Sequence, residues 1–159
     1  MITVQNPNFA KHHNDFIQTL KTRSKSESTV IAYSKDIEQL LNFFTRTGVS
    51  DIKHVRLEDL ENFKRSLQQE NYTPKSVSRK INSIRTFYRY LVDTAVIAEN
   101  PSEKLVHPKF ETKPPRVLTE MEYRALRDVC RVDIRLYSIV EILLQTGIRI
   151  SELANLLLD

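Results

Sequence analysis

The sequence predicts an all-α protein in which a four-helix bundle is followed by a linker and further helices. Only 2 glycines and no tryptophan accompany many Leu, Ile, Lys, Glu and Arg residues, a composition that favours helices over sheet. Apolar residues recur at spacings of three and four, which places them on one face of a helix. Several of these segments also open on residues that cap helices.

The first two predicted helices each carry one apolar stripe. The first runs from Asn8 to about Thr22, with Pro7 or Asn8 marking its entry because proline is favoured in the first helical turn. The second runs from Ser26 to Thr45 and has a clear buried face. The apolar residues of that face are Val30, Tyr33, Ile37, Leu40, Leu41 and Phe44.

Two more helices complete the predicted bundle. Gly48 ends the second helix, and a short third helix comes next, with an apolar stripe from Leu57 to Leu67. Thr73 and Pro74, a cap and a first-turn proline, open a fourth helix that runs to about Asp93. Its predicted buried stripe is Val77, Ile81, Ile84, Tyr88 and Leu91.

The fourth helix also carries a separate basic stripe. At about 100° per residue, Lys75, Arg79, Arg85 and Arg89 gather well over a right angle away from the apolar stripe, and Lys80 lies off both groups. Such a helix can pack on its bundle and present cations to a phosphate backbone. The alternative is a solvated face, but such faces usually mix charge signs, and no acid occurs from residue 75 to residue 91.

A proline-rich, basic segment separates the bundle from the last third of the chain. Four of the 6 prolines lie between residues 101 and 116, together with three lysines, which predicts a stiff and extended linker. The predicted domains are therefore 1–100, the helical bundle, 101–116, the linker, and 117–159, the start of a second domain. Thr119 and Glu122 have the spacing of a capping box. The apolar helix from Asp133 to Gln145 is hydrophobic nearly all round, which implies burial on several sides by more protein than this chain supplies.

A short turn near the end of the chain holds an arginine between two apolar segments. Gly147 is expected to end the preceding helix in the left-handed conformation, and Ser151 to cap the next one. Arg149 lies between them, and its planar guanidinium suits a phosphate or a carboxylate. Two interpretations stay open: Arg149 binds a phosphate, or it pairs with Glu152 or Asp159 and stabilises the turn.

Charge and composition restrict the other properties. A net charge of +4 and a pI near 9.2 favour an anionic partner without proving one. No signal peptide or membrane-spanning run is recognisable, so a cytoplasmic protein without a membrane partner is expected. Cys130 is the single cysteine and is predicted to be a small core residue. His12 and His13 are adjacent and therefore lack the spacing of metal ligands on a helix. No metal site is predicted.

Four strings of this sequence resemble the tyrosine recombinases, the phage-integrase and Xer-like family. Thr146 to Leu153 matches the first-arginine motif T-G-x-R-x-S-E-L. The second helix is similar to S-x-x-T-x-x-x-Y-x-x-D-[LI], through Ser26, Thr29, Tyr33, Asp36 and Ile37. Residues 76–91 resemble S-x-x-R-x-[LI]-x-x-[LI]-R-x-F-[YF]-x-[YF]-L, and residues 97–101 resemble I-x-x-N-P. Together the matches cover almost the whole chain in order.

The resemblance implies a SAM-like core-binding domain followed by the first helices of a catalytic domain. Complete family members clamp duplex DNA and cut and rejoin it through a 3′-phosphotyrosine intermediate, usually as four protomers, without a small-molecule cofactor or obligatory metal. By this resemblance Arg149 is a catalytic residue that binds the scissile phosphate. The residues expected to contact double-stranded DNA are Lys25, Thr29, Lys75, Ser76, Arg79, Lys80 and Arg85.

The chain also departs from the family pattern. It ends at Asp159, before the family's catalytic lysine, its H-x-x-R string and its nucleophilic tyrosine, so we expect a fragment that does not cut DNA alone. Two rival hypotheses stay open. One is a stand-alone helical DNA-binding protein, and the other is a helical protein-interaction module without catalysis.

Overall fold

The computed structural model describes residue 4, residues 6–109, residue 111 and residues 114–157, and it is helical. Within these residues no strand is formed, so the prediction of an all-α fold is confirmed. Backbone contacts divide the chain into two compact units, 1–111 and 112–159. The helices are α1 (Pro7–Thr22), α2 (Glu27–Arg46), α3 (Leu57–Gln69), α4 (Pro74–Asp93), α5 (Glu120–Cys130), α6 (Ile134–Thr146) and α7 (Ile150–Ala154), with a 3₁₀ turn at Ile52–His54.

Side-chain caps define the helix starts in the first unit. The Thr73 hydroxyl accepts from the backbone N–H of Ser76, with Pro74 in the first turn, so α4 begins where the sequence predicts. Ser26 caps α2 in the same manner. The start of α1 differs slightly, because Asn6 rather than Asn8 is the N-cap and its carboxamide oxygen accepts from the Asn8 N–H at 2.9 Å.

The core of the first unit is formed by the apolar stripes of all four helices. The predicted buried stripe of α4 is confirmed, since each of its five residues is at most 1% exposed. Aromatic rings connect the helices: Phe16 of α1 stacks edge-on against Phe87 of α4 at 5.2 Å, and Phe43 of α2 lies 5.3 Å from Phe63 of α3. The four helices therefore share one core.

Residues 102–107, which we call the docked segment, follow the bundle and contribute Leu105 to this core. Ser102 and Leu105 are fully buried, although they come after the first proline of the predicted linker. The Lys64 ammonium of α3 donates to the backbone carbonyl of Val106 at 3.3 Å. The chain is thus fixed against the bundle for several residues after α4 has ended.

The second unit is smaller and more exposed. Thr119 and Glu122 form the predicted capping box at the start of α5, and Cys130 is buried at its end. The α6 helix packs against α5, and none of its residues is fully buried. None of the helices in the described ranges is long and apolar enough to cross a membrane.

A buried tyrosine hydroxyl in the bundle lacks a hydrogen bond. The Tyr88 hydroxyl has no partner among the described residues. Burial raises the pKa of Tyr88 well above its ordinary value, and the nearby Asp59 carboxylate raises that pKa further. The ring contributes to the core, whereas the hydroxyl is desolvated without compensation.

Tyr88→Phe should therefore stabilise the protein. The change removes an unsatisfied hydroxyl and keeps the ring, so the free energy of unfolding should rise by about 1 kcal/mol. Urea denaturation followed by circular dichroism measures this difference. Tyr72→Phe is the matched control, because its hydroxyl accepts a hydrogen bond from the Gln39 carboxamide at 3.3 Å and the loss of this bond should not stabilise. A lower stability of Tyr88→Phe would contradict the interpretation.

Candidate nucleic-acid interface

The exposed face of α4 carries cations and small polar groups. Lys75, Arg79 and Arg89 are exposed along it, and Asn82 lies between them. Lys75 and Arg79 are one helical turn apart, about 6 Å along the axis. No acid of α4 lies between residues 75 and 91, so this face combines positive charge with hydrogen-bond donors.

A buried carboxylate on α2 organises part of this face. Asp36 is 1% exposed, and its two oxygens accept hydrogen bonds from three residues of α4. Arg79 binds it with two N–H groups, Nη1 to Oδ2 at 2.5 Å and Nη2 to Oδ1 at 2.9 Å. The Lys80 ammonium donates to Oδ1 at 2.9 Å and the Ser83 hydroxyl to Oδ2 at 2.7 Å. Both carboxylate oxygens are therefore fully engaged.

The two cations of this cluster have different surroundings. The Lys80 side chain is 8% exposed, and its ammonium also donates to the Gln39 carboxamide at 2.7 Å and lies over the Tyr72 ring. The Arg79 side chain is 53% exposed. Lys80 therefore neutralises the buried carboxylate from inside, and the remaining positive charge of the cluster is at the surface on Arg79.

A groove of about 430 Å³ lies between α2 and α4 beside this arginine. Thr29 of the first turn of α2 lines the groove opposite Arg79 and Asn82. The Thr29 hydroxyl lies 2.7 Å from that of Ser26, the N-cap of α2. The structure thus brings together two of the residues predicted from sequence, Thr29 and Arg79, although they are on different helices.

Arg85 faces the docked segment instead of the groove. Its Nη2 donates to the carbonyl of Leu105 at 2.8 Å, and its Nη1 lies 3.1 Å from His107 Nε2. Because a guanidinium only donates, Nε2 accepts and the imidazole proton is on Nδ1, which lies 2.8 Å from the Ser78 hydroxyl. Partial burial and the Arg85 charge both lower the pKa of His107.

The other predicted contact residues of the first unit lie at helix starts. Lys75 is exposed in the first turn of α4, and Lys25 is exposed just before α2. Ser76 is half-buried, and its hydroxyl is 2.9 Å from that of Thr73 within the cap of α4. Lys75 and Lys25 are thus accessible cations, whereas Ser76 takes part in helix capping.

Arg149 is at the surface of the second unit. Gly147 ends α6 with φ +67°, as predicted, but Arg149 rather than Ser151 is the N-cap of α7. The backbone N–H of Arg149 donates to Glu152 at 2.9 Å, and Nη1 pairs with the same carboxylate at 2.9 Å. The Arg149 side chain is 81% exposed, so this pair contributes little stability and leaves the guanidinium accessible.

Several residues of the interface were not predicted from sequence as parts of the site. Asn82 and Ser28 line the groove, and Asp36 and His107 hold cations of α4. Asp36 carried a signal, because it is the acid of the string S-x-x-T-x-x-x-Y-x-x-D-[LI] that the second helix matches. Within the described residues no group of three or more His, Cys, Asp or Glu side chains is arranged to hold a metal ion.

Comparison with known proteins identifies the family. Residues 14–94, about half of the chain, match the family described as phage integrase, N-terminal SAM-like domain. The chain belongs to this family, and the resemblance to tyrosine recombinases and the SAM-like fold class are confirmed.

The relatives in this comparison are tyrosine recombinases. XerC of Anoxybacillus flavithermus is 32% identical over 161 residues, which cover 98% of this chain and 53% of that protein. XerD of Vibrio cholerae is 30% identical, covering 86% of this chain and 46% of that protein. The crystal structure of XerA recombinase matches with a TM-score of 0.52 and 26% identity, covering 93% of this chain and 50% of that one. The chain spans about half the length of these relatives and corresponds to their amino-terminal region.

His107 predicts a pH-dependent stability of the first unit. Its pKa is lowered in the fold from the ordinary 6.5, so the unfolded chain binds more protons as the pH falls below 6.5. Stability should therefore decrease from pH 6.5 downwards, until the pH passes the lower pKa of the folded state. Urea unfolding of the unsubstituted chain and of His107→Gln across this range measures the effect.

The His107→Gln variant isolates this contribution. Glutamine keeps an acceptor for Arg85 and a donor for Ser78 but does not titrate. The pKa of His12 is also lowered by burial, and that contribution is common to both proteins and cancels in the difference. The free energy of unfolding of the unsubstituted chain should fall relative to that of His107→Gln as the pH decreases below 6.5. A difference that stays constant with pH would show that folding does not lower the pKa of His107.

Proposed function

We propose that this chain is the DNA-binding portion of a site-specific tyrosine recombinase. The single observation that carries the proposal is the exposed face of α4, where Lys75, Arg79 and Arg89 lie in a stretch that contains no acid from residue 75 to residue 91. Lysine and arginine on such a face attract the phosphate backbone and release its counterions. The XerC and XerD relatives and the family match support duplex DNA as the partner.

The contacts divide into direct and supporting ones in this proposal. Lys75, Arg79 and Arg89 bind phosphates, and Thr29 and Lys25 extend the contact to α2. Three residues of the predicted set have supporting roles, because their polar groups already face protein atoms. These are Ser76 at the cap of α4, Lys80 at Asp36 and Arg85 at the docked segment.

The second unit supplies one residue to the chemistry of the complete protein. Arg149 is proposed to bind non-bridging oxygens of the scissile phosphate, where negative charge increases in the transition state. Its exposed side chain and its weak pair with Glu152 support this role, since the guanidinium can exchange one carboxylate for a phosphate at little cost. Assembly of four protomers on DNA and a cytoplasmic location are part of the same proposal.

The contribution of the exposed face of α4 to DNA binding can be tested by replacing two of its exposed cations, Lys75 and Arg89, with glutamine. Lys75→Gln/Arg89→Gln should weaken binding to a labelled DNA duplex on the order of tenfold at low salt. The slope of log affinity against log salt should also fall by about 1.8, because two phosphate contacts are lost. Fluorescence anisotropy over a salt series measures both quantities.

A matched variant removes two cations elsewhere in the same unit. Lys11 of α1 and Lys53 of the 3₁₀ turn are exposed and lie near His12, so Lys11→Gln/Lys53→Gln has the same change of net charge. It should bind nearly as well as the unsubstituted chain. Equal losses in both variants would indicate a general effect of charge, and no salt-dependent binding by the folded chain would favour a protein-interaction module.

A further inference from the structure

The Asp36 carboxylate restrains the guanidinium of Arg79 in one orientation. Two parallel hydrogen bonds, at 2.5 and 2.9 Å, fix the plane of the guanidinium relative to α2. Asp36 itself is held by Lys80 and Ser83, at 2.9 and 2.7 Å, so it cannot follow a moving arginine. The orientation of Arg79 is therefore determined before any ligand arrives.

This restraint leaves donors free on the exposed side. A guanidinium has five N–H groups, and Asp36 uses two of them. The Arg79 side chain is 53% exposed and lines the groove together with Thr29 and Asn82. A phosphate oxygen in the groove can accept from the remaining N–H groups while the pair with Asp36 stays intact.

We propose that Asp36 is a positioning residue for DNA binding, which acts by holding Arg79 toward a backbone phosphate in the groove between α2 and α4. The inference rests on the proposed function. A long side chain loses rotamer freedom when it binds, and an arginine that is already fixed in the bound geometry avoids this loss. Asp36 touches no DNA in this arrangement and acts through Arg79.

When Asp36 is neutralised, a positioning role and a purely electrostatic role predict opposite changes in the affinity for DNA. Asp36 is a negative charge next to a site for an anion. If it acted through charge alone, neutralising it would strengthen DNA binding, because repulsion of the phosphates would decrease. If it positions Arg79, the same change weakens binding, because the guanidinium is no longer held toward the groove.

The test uses a Lys80→Met background. Neutralising Asp36 alone would leave the buried Lys80 ammonium without a counter-charge, which destabilises proteins strongly. Asp36→Asn/Lys80→Met is therefore compared with Lys80→Met, by anisotropy of a labelled duplex over a salt series. Thermal unfolding confirms that both variants are folded at the titration temperature. We expect the double variant to bind on the order of fivefold more weakly, with a salt slope lower by about 0.9.

Arg79→Gln shows whether the effect passes through the arginine. In the Lys80→Met background it should weaken binding, whereas in the double variant it should add almost nothing, because the two residues act as one unit. Arg79→Lys keeps the charge and loses the fork, so it supplies an independent test if the double variant does not fold. It should also bind more weakly than the unsubstituted chain.

Each other outcome overturns the inference. Equal or tighter binding by the folded double variant would show that Asp36 acts only through its charge. Additive losses, or unchanged binding by Arg79→Lys, would show that the orientation of the guanidinium is unimportant. Absence of salt-dependent binding by the unsubstituted chain overturns the proposed function itself, and this result is distinct because it precedes any substitution.

Discussion

The packing of α2 on α4, and with it the orientation of Arg79 in the candidate interface, depends on one buried carboxylate. Asp36 lies on α2 with 1% exposure and accepts four hydrogen bonds from α4. Burying an ion costs several kcal/mol, and it is tolerated when its lone pairs are matched by well-placed donors. The same hydrogen bonds fix the position of α4 along α2. Apolar contacts alone would permit small slides between α2 and α4, whereas a carboxylate with two charged partners and a hydroxyl has one good geometry. The orientation of the exposed cation is a consequence of how the bundle packs.

The positions of the helices and their buried faces were predictable from sequence, because the residues that determine them are close together in the chain. Thr73 and Pro74 act within one turn, and the apolar stripe of α4 needs only its own period. The prediction failed where two local signals competed. Ser151 is a favourable N-cap, yet Glu152 reaches back to the backbone N–H of Arg149 and starts α7 two residues earlier. The sequence contains both options, and the geometry of the turn decides between them.

The partners of the α4 cations were not predictable in this way. Asp36 precedes Arg79 by 43 residues, and His107 lies 22 residues after Arg85. Helical periodicity considers one helix at a time, and α4 contains no acid from residue 75 to residue 91. That observation indicated an interface, but it did not distinguish an exposed cation from one whose acid comes from a neighbouring helix. Lys80 shows the difference, because its ammonium is buried and pairs with Asp36.

The contrast between Arg79 and Lys80 arises from their chemistry. An ammonium is a compact charge at the end of a flexible stem, and once it is buried against a carboxylate it is directed away from a ligand. A guanidinium is planar and has donors on more than one edge, so it can bind a buried carboxylate with one edge and a surface anion with another. A residue that joins two helices and also faces a phosphate therefore needs to be arginine. The residue type at position 79, more than the number of positive charges on α4, thus determines whether packing and binding can use the same side chain.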